Sequence, residues 1–181
     1  NNTYEANGSI SFYAKKVVSN RTYGVKNEEF SFSLFDEKGN ELQHAVKNGS
    51  NGLVSFSAIN YSLDDAGKEF KYVIKEDSGN IPGITYDTHE EEITVKVSDK
   101  GDGTLQITAD KATKTSPVTF TNVYKAEGTF TFTALKAFKE GSKLPSGKSF
   151  SFVLKEDGKV IETISVNGTG SVSFKPLKYA V

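Results

Sequence analysis

A lysine, a glutamate and an asparagine each stand where the local pattern calls for an apolar residue. In "ISFYAKK" the apolar parity runs Ile10, Phe12, Ala14, and the next residue of that parity is Lys16, while Lys15 falls on the other face. In "FKYVIKE" the series Phe70, Tyr72, Ile74 leads to Glu76, and in "VTFTNVY" Val118 and Phe120 lead to Asn122 and then Tyr124. Three strands thus aim polar groups at a core. An isolated buried ammonium or carboxylate is so costly that it persists only when paired, neutralised or consumed. For any one of the three, a strand end from which a long side chain snorkels to water would suffice. All three together weigh against that.

A Lys, a carboxylic acid and an Asn in a dry pocket can react with one another. Desolvation pushes a Lys pKa down and a Glu pKa up, so the pair can exist as a neutral amine and a protonated acid. The amine of Lys16 is then a nucleophile and the side-chain carbonyl of Asn122 its electrophile. Glu76 is the expected hydrogen-bond donor that polarises this carbonyl, shuttles a proton and helps ammonia leave. The product is an isopeptide bond made once per molecule, so no turnover enzyme is expected.

The elements that must position these residues are strands. "GSISFYAKK", "FSFSLF", "GLVSFSAI", "FKYVIKE", "EITVKVS", "TLQITA" and "PVTFTNVY" all alternate and are rich in Phe, Val, Ile, Thr and Tyr. Turn clusters such as "DEKGN", "KNGSNG", "EDSGNIPG" and "DKGDG" separate them, and "SLDDAGKEF" has room for one helical turn at most. Short strands with frequent turns predict an all-β, immunoglobulin-like antiparallel sandwich.

The chain also repeats itself. Asn122 falls on Asn2, Tyr124 on Tyr4, Ala126 on Ala6, Gly128 on Gly8, and the series Phe130, Phe132, Ala134, Lys136 on Ile10, Phe12, Ala14, Lys16. The match later resumes with "GSVSFKPLKYAV" over "GLVSFSAINYSL". Tandem repeats are therefore expected: residues 1–6 end a preceding one, 7–125 form a complete domain and 126–181 the first half of a following one. Lys136 is the next repeat's counterpart of Lys16, and Asn2 the preceding repeat's counterpart of Asn122. No Glu or Asn counterpart follows Lys136, so the last segment is expected not to close a core by itself. A linker as short as "KAEG" implies a stiff array.

Other signals exclude more than they suggest. With 22 basic and 23 acidic residues interspersed and a net charge of −1, nothing favours nucleic acid. No run of about 18 apolar residues offers a membrane span. Cysteine is absent, which removes disulfides and thiolate chemistry, and no signal peptide opens the sequence, whose numbering is expected to begin inside a longer precursor. His44 and His89 lack zinc spacing, and Asp99 and Asp102 in "SDKGDGT" read as a hairpin turn, not a calcium loop. Phosphate-loop, Rossmann and G-x-S-x-G patterns are missing. No cofactor or metal is expected, and the N-x-[S/T] sequons would matter in a eukaryotic secretory protein and be incidental in a bacterial one.

The order "FYAKK … FSFSL … FKYVIKEDSGNIPGITYD … ITVKV … VTFTNVY" resembles the streptococcal-type pilin isopeptide-linkage domain, a Cna-B-like sandwich of Gram-positive pilins and wall-anchored surface proteins. "YVIKE", the following "PGITYD" and the closing F-x-N-x-Y carry the likeness most clearly. The resemblance implies that Lys16 on the first strand and Asn122 on the last are cross-linked with the help of Glu76. It also implies a cell-surface location, with adjacent repeats or pilin subunits as partners. An LPxTG sorting signal is not among these residues, since "LPSGK" at 144–148 lacks the Thr and reads as a turn, and no motif marks an inter-subunit lysine. The rival reading is an adhesin module that recognises a host protein or glycan through loops such as "KNGSNG" or "EDSGNIPG".

Overall fold

The computed structural model describes residues 3–140 and 147–181 and divides into two compact units, 1–125 and 126–181. The first unit contains eleven strands: β1 (Asn7–Ile10), β2 (Tyr13–Ser19), β3 (Ser31–Asp36), β4 (Glu41–Lys47), β5 (Leu53–Ser55), β6 (Ile59–Ser62), β7 (Glu69–Glu76), β8 (Ile84–Thr85), β9 (Glu90–Asp99), β10 (Leu105–Ala109) and β11 (Val118–Tyr124). One 3-10 turn, Leu63–Asp65, occupies the "SLDDAGKEF" segment.

These strands build a sandwich. One sheet has the order β10-β9-β7-β3-β4, the other β5-β2-β11-β8, and β1 pairs with β6 in a small ribbon. Alternation assigns the faces: Ile93, Val95 and Val97 of β9 are buried, while Glu92 just before them and Lys96 among them are exposed. The two inner faces meet in one core, where Phe32 of β3 and Phe120 of β11 pack edge to face with ring centroids 5.3 Å apart.

Period-two patterning did not indicate three features. "GSISFYAKK" is not one strand: it breaks after Ile10, and its halves pair with different partners, β1 with β6 and β2 with β5 and β11. β4 is half exposed, departs from regular pairing with β3 and carries Ala45 at φ 51°, so its sequence shows no clean alternation. Within the otherwise antiparallel sandwich, β2 and β11 run parallel, with Ala14 opposite Val118, Lys16 opposite Phe120 and Val18 opposite Asn122.

The second unit contains β12 (Glu127–Phe130), β13 (Thr133–Lys136), β14 (Ser149–Glu156), β15 (Lys159–Asn167), β16 (Gly170–Ser173) and β17 (Leu177–Ala180), paired as β12-β17, β13-β16 and β14-β15. The registers echo those of β1-β6, β2-β5 and β3-β4: Phe130 faces Leu177 as Ile10 faces Ile59, Thr133 faces Ser173 as Tyr13 faces Ser55, and Phe152 faces Ile164 as Phe32 faces Val46. Among the described residues, β13 and β14 each have one strand neighbour, whereas β2 and β3 each have two. Phe130, Phe132, Leu135 and Val153 are correspondingly exposed.

Gly52 fixes the approach of the β5 hairpin to β2. Its carbonyl accepts the Lys16 N–H at 2.7 Å, its φ is +78°, and a Cβ there would lie 2.4 Å from the Lys16 carbonyl oxygen. Gly39, at φ +81°, has open space around it. Gly39→Ala should therefore cost only the left-handed backbone penalty, about 1–2 kcal/mol. Gly52→Ala should cost clearly more in urea unfolding, because β2 must also move.

Candidate functional site

The parallel pairing of β2 with β11 brings the first and last long strands of the unit side by side. Lys16 and Asn122 lie on these neighbours, both pointing into the sandwich, 1% and 0% exposed. Glu76 ends β7 in the opposite sheet and reaches across the core between them. Its Oε2 lies 2.8 Å from Lys16 Nζ, and its Oε1 accepts the Asn122 Nδ2–H at 2.8 Å. Neither charged side chain of the pair exposes any surface. Lys15, on the opposite face, donates to the carbonyl of Asn51.

Burial dominates the electrostatics. Removal from water pushes the Lys16 ammonium pKa down and the Glu76 carboxyl pKa up, each partly opposed by the hydrogen bond they share. Both shifts move the pair towards neutral amine and protonated acid. Aromatic rings complete the enclosure: Lys16 Nζ lies 5.0 Å from the Phe30 ring centroid and 6.0 Å from that of Phe32. Phe30 is held in turn by the buried Asn48, whose Oδ1 accepts the Phe30 N–H at 2.7 Å, and by Tyr86 edge-on at 5.9 Å.

The carbonyl of Asn122 has a partner that strand parity did not reveal. Its Oδ1 accepts the main-chain N–H of Asp87 at 2.7 Å. Because a main-chain N–H can only donate, this contact fixes the amide orientation: oxygen towards Asp87, nitrogen towards Glu76. Glu76 was the expected donor to the carbonyl, yet it contacts the nitrogen that would leave, and the carbonyl is polarised from the other side. Asp87 closes the "PGITYD" segment, which lies mostly outside regular strands, so alternation carried no information about it. Gly83 of that segment lets it approach the chain after β11, with its carbonyl accepting the Lys125 N–H at 2.8 Å and no room for a Cβ.

The remaining sequence candidates lie apart from this cluster. Lys136 ends β13 in the second unit, its Nζ 4.3 Å from the Phe150 centroid and 5.1 Å from that of Phe138. Asn2 lies outside the described residues, as do the first three residues of "LPSGK". His44 is exposed beside Glu41, and His89, also exposed and just before β9, stacks on the buried Phe120 ring at 4.4 Å. Asp99 and Asp102 accept hydrogen bonds within their own turn. Among the described residues, no group of three or more His, Cys, Asp or Glu side chains is placed to hold a metal ion.

A family model, FctA, described as the Spy0128-like isopeptide containing domain, matches residues 12–125, more than half of the chain. The chain belongs to this family. The FctA match spans the sequence from Phe12 to Lys125 and so contains Lys16, Glu76 and Asn122. Solved structures similar to this chain include BcpA, the major pilin subunit of Bacillus cereus, at 18% identity over 70% of this chain, with a TM-score of 0.37. They also include the major pilin from Streptococcus pyogenes, at 14% identity over 96% of this chain and 76% of that one, with a TM-score of 0.39. The T3.2 major pilin of the same species aligns at 16% identity over 93% of this chain and 76% of that one, with a TM-score of 0.38. The chain spans 31% of the length of the Bacillus cereus subunit. No curated protein matches.

Within this FctA-type domain, the cost of breaking the buried Lys16–Glu76 pair should be measurable in an Asn122→Ala background, where the pair itself is intact. Glu76→Ala strands the Lys16 amine without its partner and should lose about 3–5 kcal/mol relative to an intact pair. The double variant Lys16→Met, Glu76→Gln removes both charges and should unfold in urea at a clearly higher midpoint than Glu76→Ala.

Proposed function

We propose that this chain is a structural stalk or pilin repeat of a Gram-positive surface protein, whose complete domain, residues 7–125, cross-links itself through an isopeptide bond between Lys16 and Asn122. The observation that carries this reading is the dry bridge of Glu76, 2.8 Å from both the nucleophilic nitrogen and the leaving nitrogen. Neutral Lys16 attacks Cγ of Asn122, forming the new C–N bond. A proton from Nζ passes to Glu76 and from Glu76 to Nδ2, the C–Nδ2 bond breaks, and ammonia departs. Glu76 ends as it began. The domain reacts once and is not a turnover enzyme.

Residues 126–181 then belong to a following repeat, a reading supported by the shared registers and by Lys136 resting on Phe150 as Lys16 rests on Phe30. Residues 1–6, which match the end of a repeat in sequence, carry Ala6 into the core of the first unit. The partners are adjacent repeats or pilin subunits, and the location is the cell surface. Two observations favour this role over host-ligand recognition. The exposed aromatic residues described in the first unit are Tyr4 and Tyr23, and each is engaged locally. Tyr4 donates to Asp99, and Tyr23 lies under Arg21, 4.6 Å from its ring centroid.

In a tethered array, tension enters each complete domain near Lys16 and leaves near Asn122, so the bond carries the load past the roughly one hundred residues between. Closing such a loop is worth roughly 4–5 kcal/mol by the chain-entropy model used for disulfides.

The deciding measurement is intact mass. Wild type should be lighter than its sequence by one ammonia. Glu76→Ala, Asn122→Ala and Lys16→Met should show the full mass, and Lys15→Met should keep the loss. An unshifted wild type would remove the chemistry. In single-molecule stretching of an array of the complete domain, wild type should release no length from between Lys16 and Asn122, and Glu76→Ala should release it. A wild type that unravels like the mutant would reject the load-bearing role even with the bond present.

A further inference from the structure

The β8-β11 ladder is short: it pairs Ile84 with Tyr124 and Thr85 with Val123, then stops. Two residues further along, the side chain of Asp87 takes over. Its Oδ2 accepts the Thr121 N–H at 2.7 Å, immediately before Asn122 in β11. Its Oδ1 accepts the His89 N–H at 3.1 Å and lies 2.5 Å from His89 Nδ1. The His89 ring stacks on Phe120, and its Nε2 lies 3.4 Å from Glu91, which pairs with Lys111. A single carboxylate therefore clips the segment before β9 both to the β11 backbone and to a ring seated on the β11 core.

We propose that Asp87 is a positioning residue for the cross-link: its carboxylate, held by Thr121 and His89, sets its own main-chain N–H on Oδ1 of Asn122. This inference rests on the isopeptide reading above and adds to it the group that handles the developing charge. When Lys16 Nζ adds to Cγ, the electron pair of the C=O bond moves onto Oδ1. When C–Nδ2 breaks, the pair returns and ammonia leaves with the proton relayed by Glu76. A donor already 2.7 Å from that oxygen stabilises the intermediate without rearrangement. Glu76 is engaged at both of its oxygens by the two nitrogens, so the division of labour is complete: the acid moves the proton, and Asp87 holds the oxygen.

The test uses the whole chain and two readouts. The first is the time course of ammonia loss after refolding, followed by intact mass. Asp87→Ala should slow it about a hundredfold, in the range seen on losing one such donor. Asp87→Asn, which keeps an acceptor for Thr121, should recover much of the rate. The second readout is NMR in the Lys16→Met background, where no bond forms. There the Asp87 amide proton should be protected from exchange, and Asp87→Ala should shift the Asn122 Cγ resonance and abolish protection of the residue-87 amide.

If wild type loses ammonia and both Asp87 variants react at its rate, the positioning role is overturned while the cross-link stands. If wild type never loses ammonia, the cross-link reading fails, and the NMR arm still decides whether Asp87 orients Asn122. An unchanged Cγ resonance on substitution overturns the inference. Should Asp87→Ala not fold, Asp87→Ser, whose shorter side chain does not reach the Thr121 N–H as the carboxylate does, supplies both readouts: wild-type values in either overturn the inference, and a slowed rate with a shifted Cγ resonance upholds it.

Discussion

Lys16 and Glu76 meet 2.8 Å apart with neither side chain touching water. Removing two such groups from solvent is so costly that their mutual attraction repays it only when geometry is tight and the remaining polar atoms are satisfied. Much of the first unit reads as a set of conditions for meeting that demand. Asn122 occupies the second carboxyl oxygen, Phe30 and Phe32 wall off the nitrogen, and Asn48 fixes Phe30. Gly52 allows the neighbouring hairpin to close against the Lys16 backbone. The site is not an addition to the core of the sandwich; it occupies one end of that core, on the same strand faces as Ala14, Ile74 and Phe120.

Strand parity made much of this legible because it depends on a period of two that each short segment states by itself. Lys16, Glu76 and Asn122 stand out as polar residues in apolar series, and the sandwich follows from the spacing of strands and turns. Strand direction is different. Nothing in "ISFYAKK" or "VTFTNVY" says that the two segments run the same way, since that is decided by everything between them. Asp87 was illegible for a related reason. Its contribution is a main-chain N–H presented by a segment that follows a two-residue strand, and a main-chain group has no identity in a sequence. In the sequence only the family resemblance of "PGITYD" points there, without a chemical reason. The structure supplies three: Gly83 admits the Lys125 backbone, Tyr86 packs on Phe30, and Asp87 holds Asn122.

The second unit shows the pairings of β1 to β6 repeated, with no strand in the places of β7 and β11 among the described residues. Its strands find the same registers as their counterparts, through one hairpin, β14-β15, and two longer-range pairings nested around it, β13-β16 and β12-β17. Among the described residues, Lys136 keeps aromatic rings around its nitrogen, yet Phe130, Phe132 and Leu135 remain exposed. The contrast separates two layers of specification: the strand pairings that these six strands make among themselves, and the closure of a dry chamber, which in the first unit needs β7 and β11.

The parallel register of β2 and β11 has a mechanical consequence of its own. The chain runs into β2 from one end of the sandwich and out of β11 at the other, because parallel neighbours point the same way. Tension along the chain therefore tries to slide one strand lengthwise past the other, loading their ladder in shear, so that the rungs between Ala14–Val118 and Ser19–Val123 resist together. An antiparallel terminal pair, pulled from its adjacent ends, would instead open like a zipper, one rung at a time. The parallel ladder thus opposes a pull along its own chain by geometry alone.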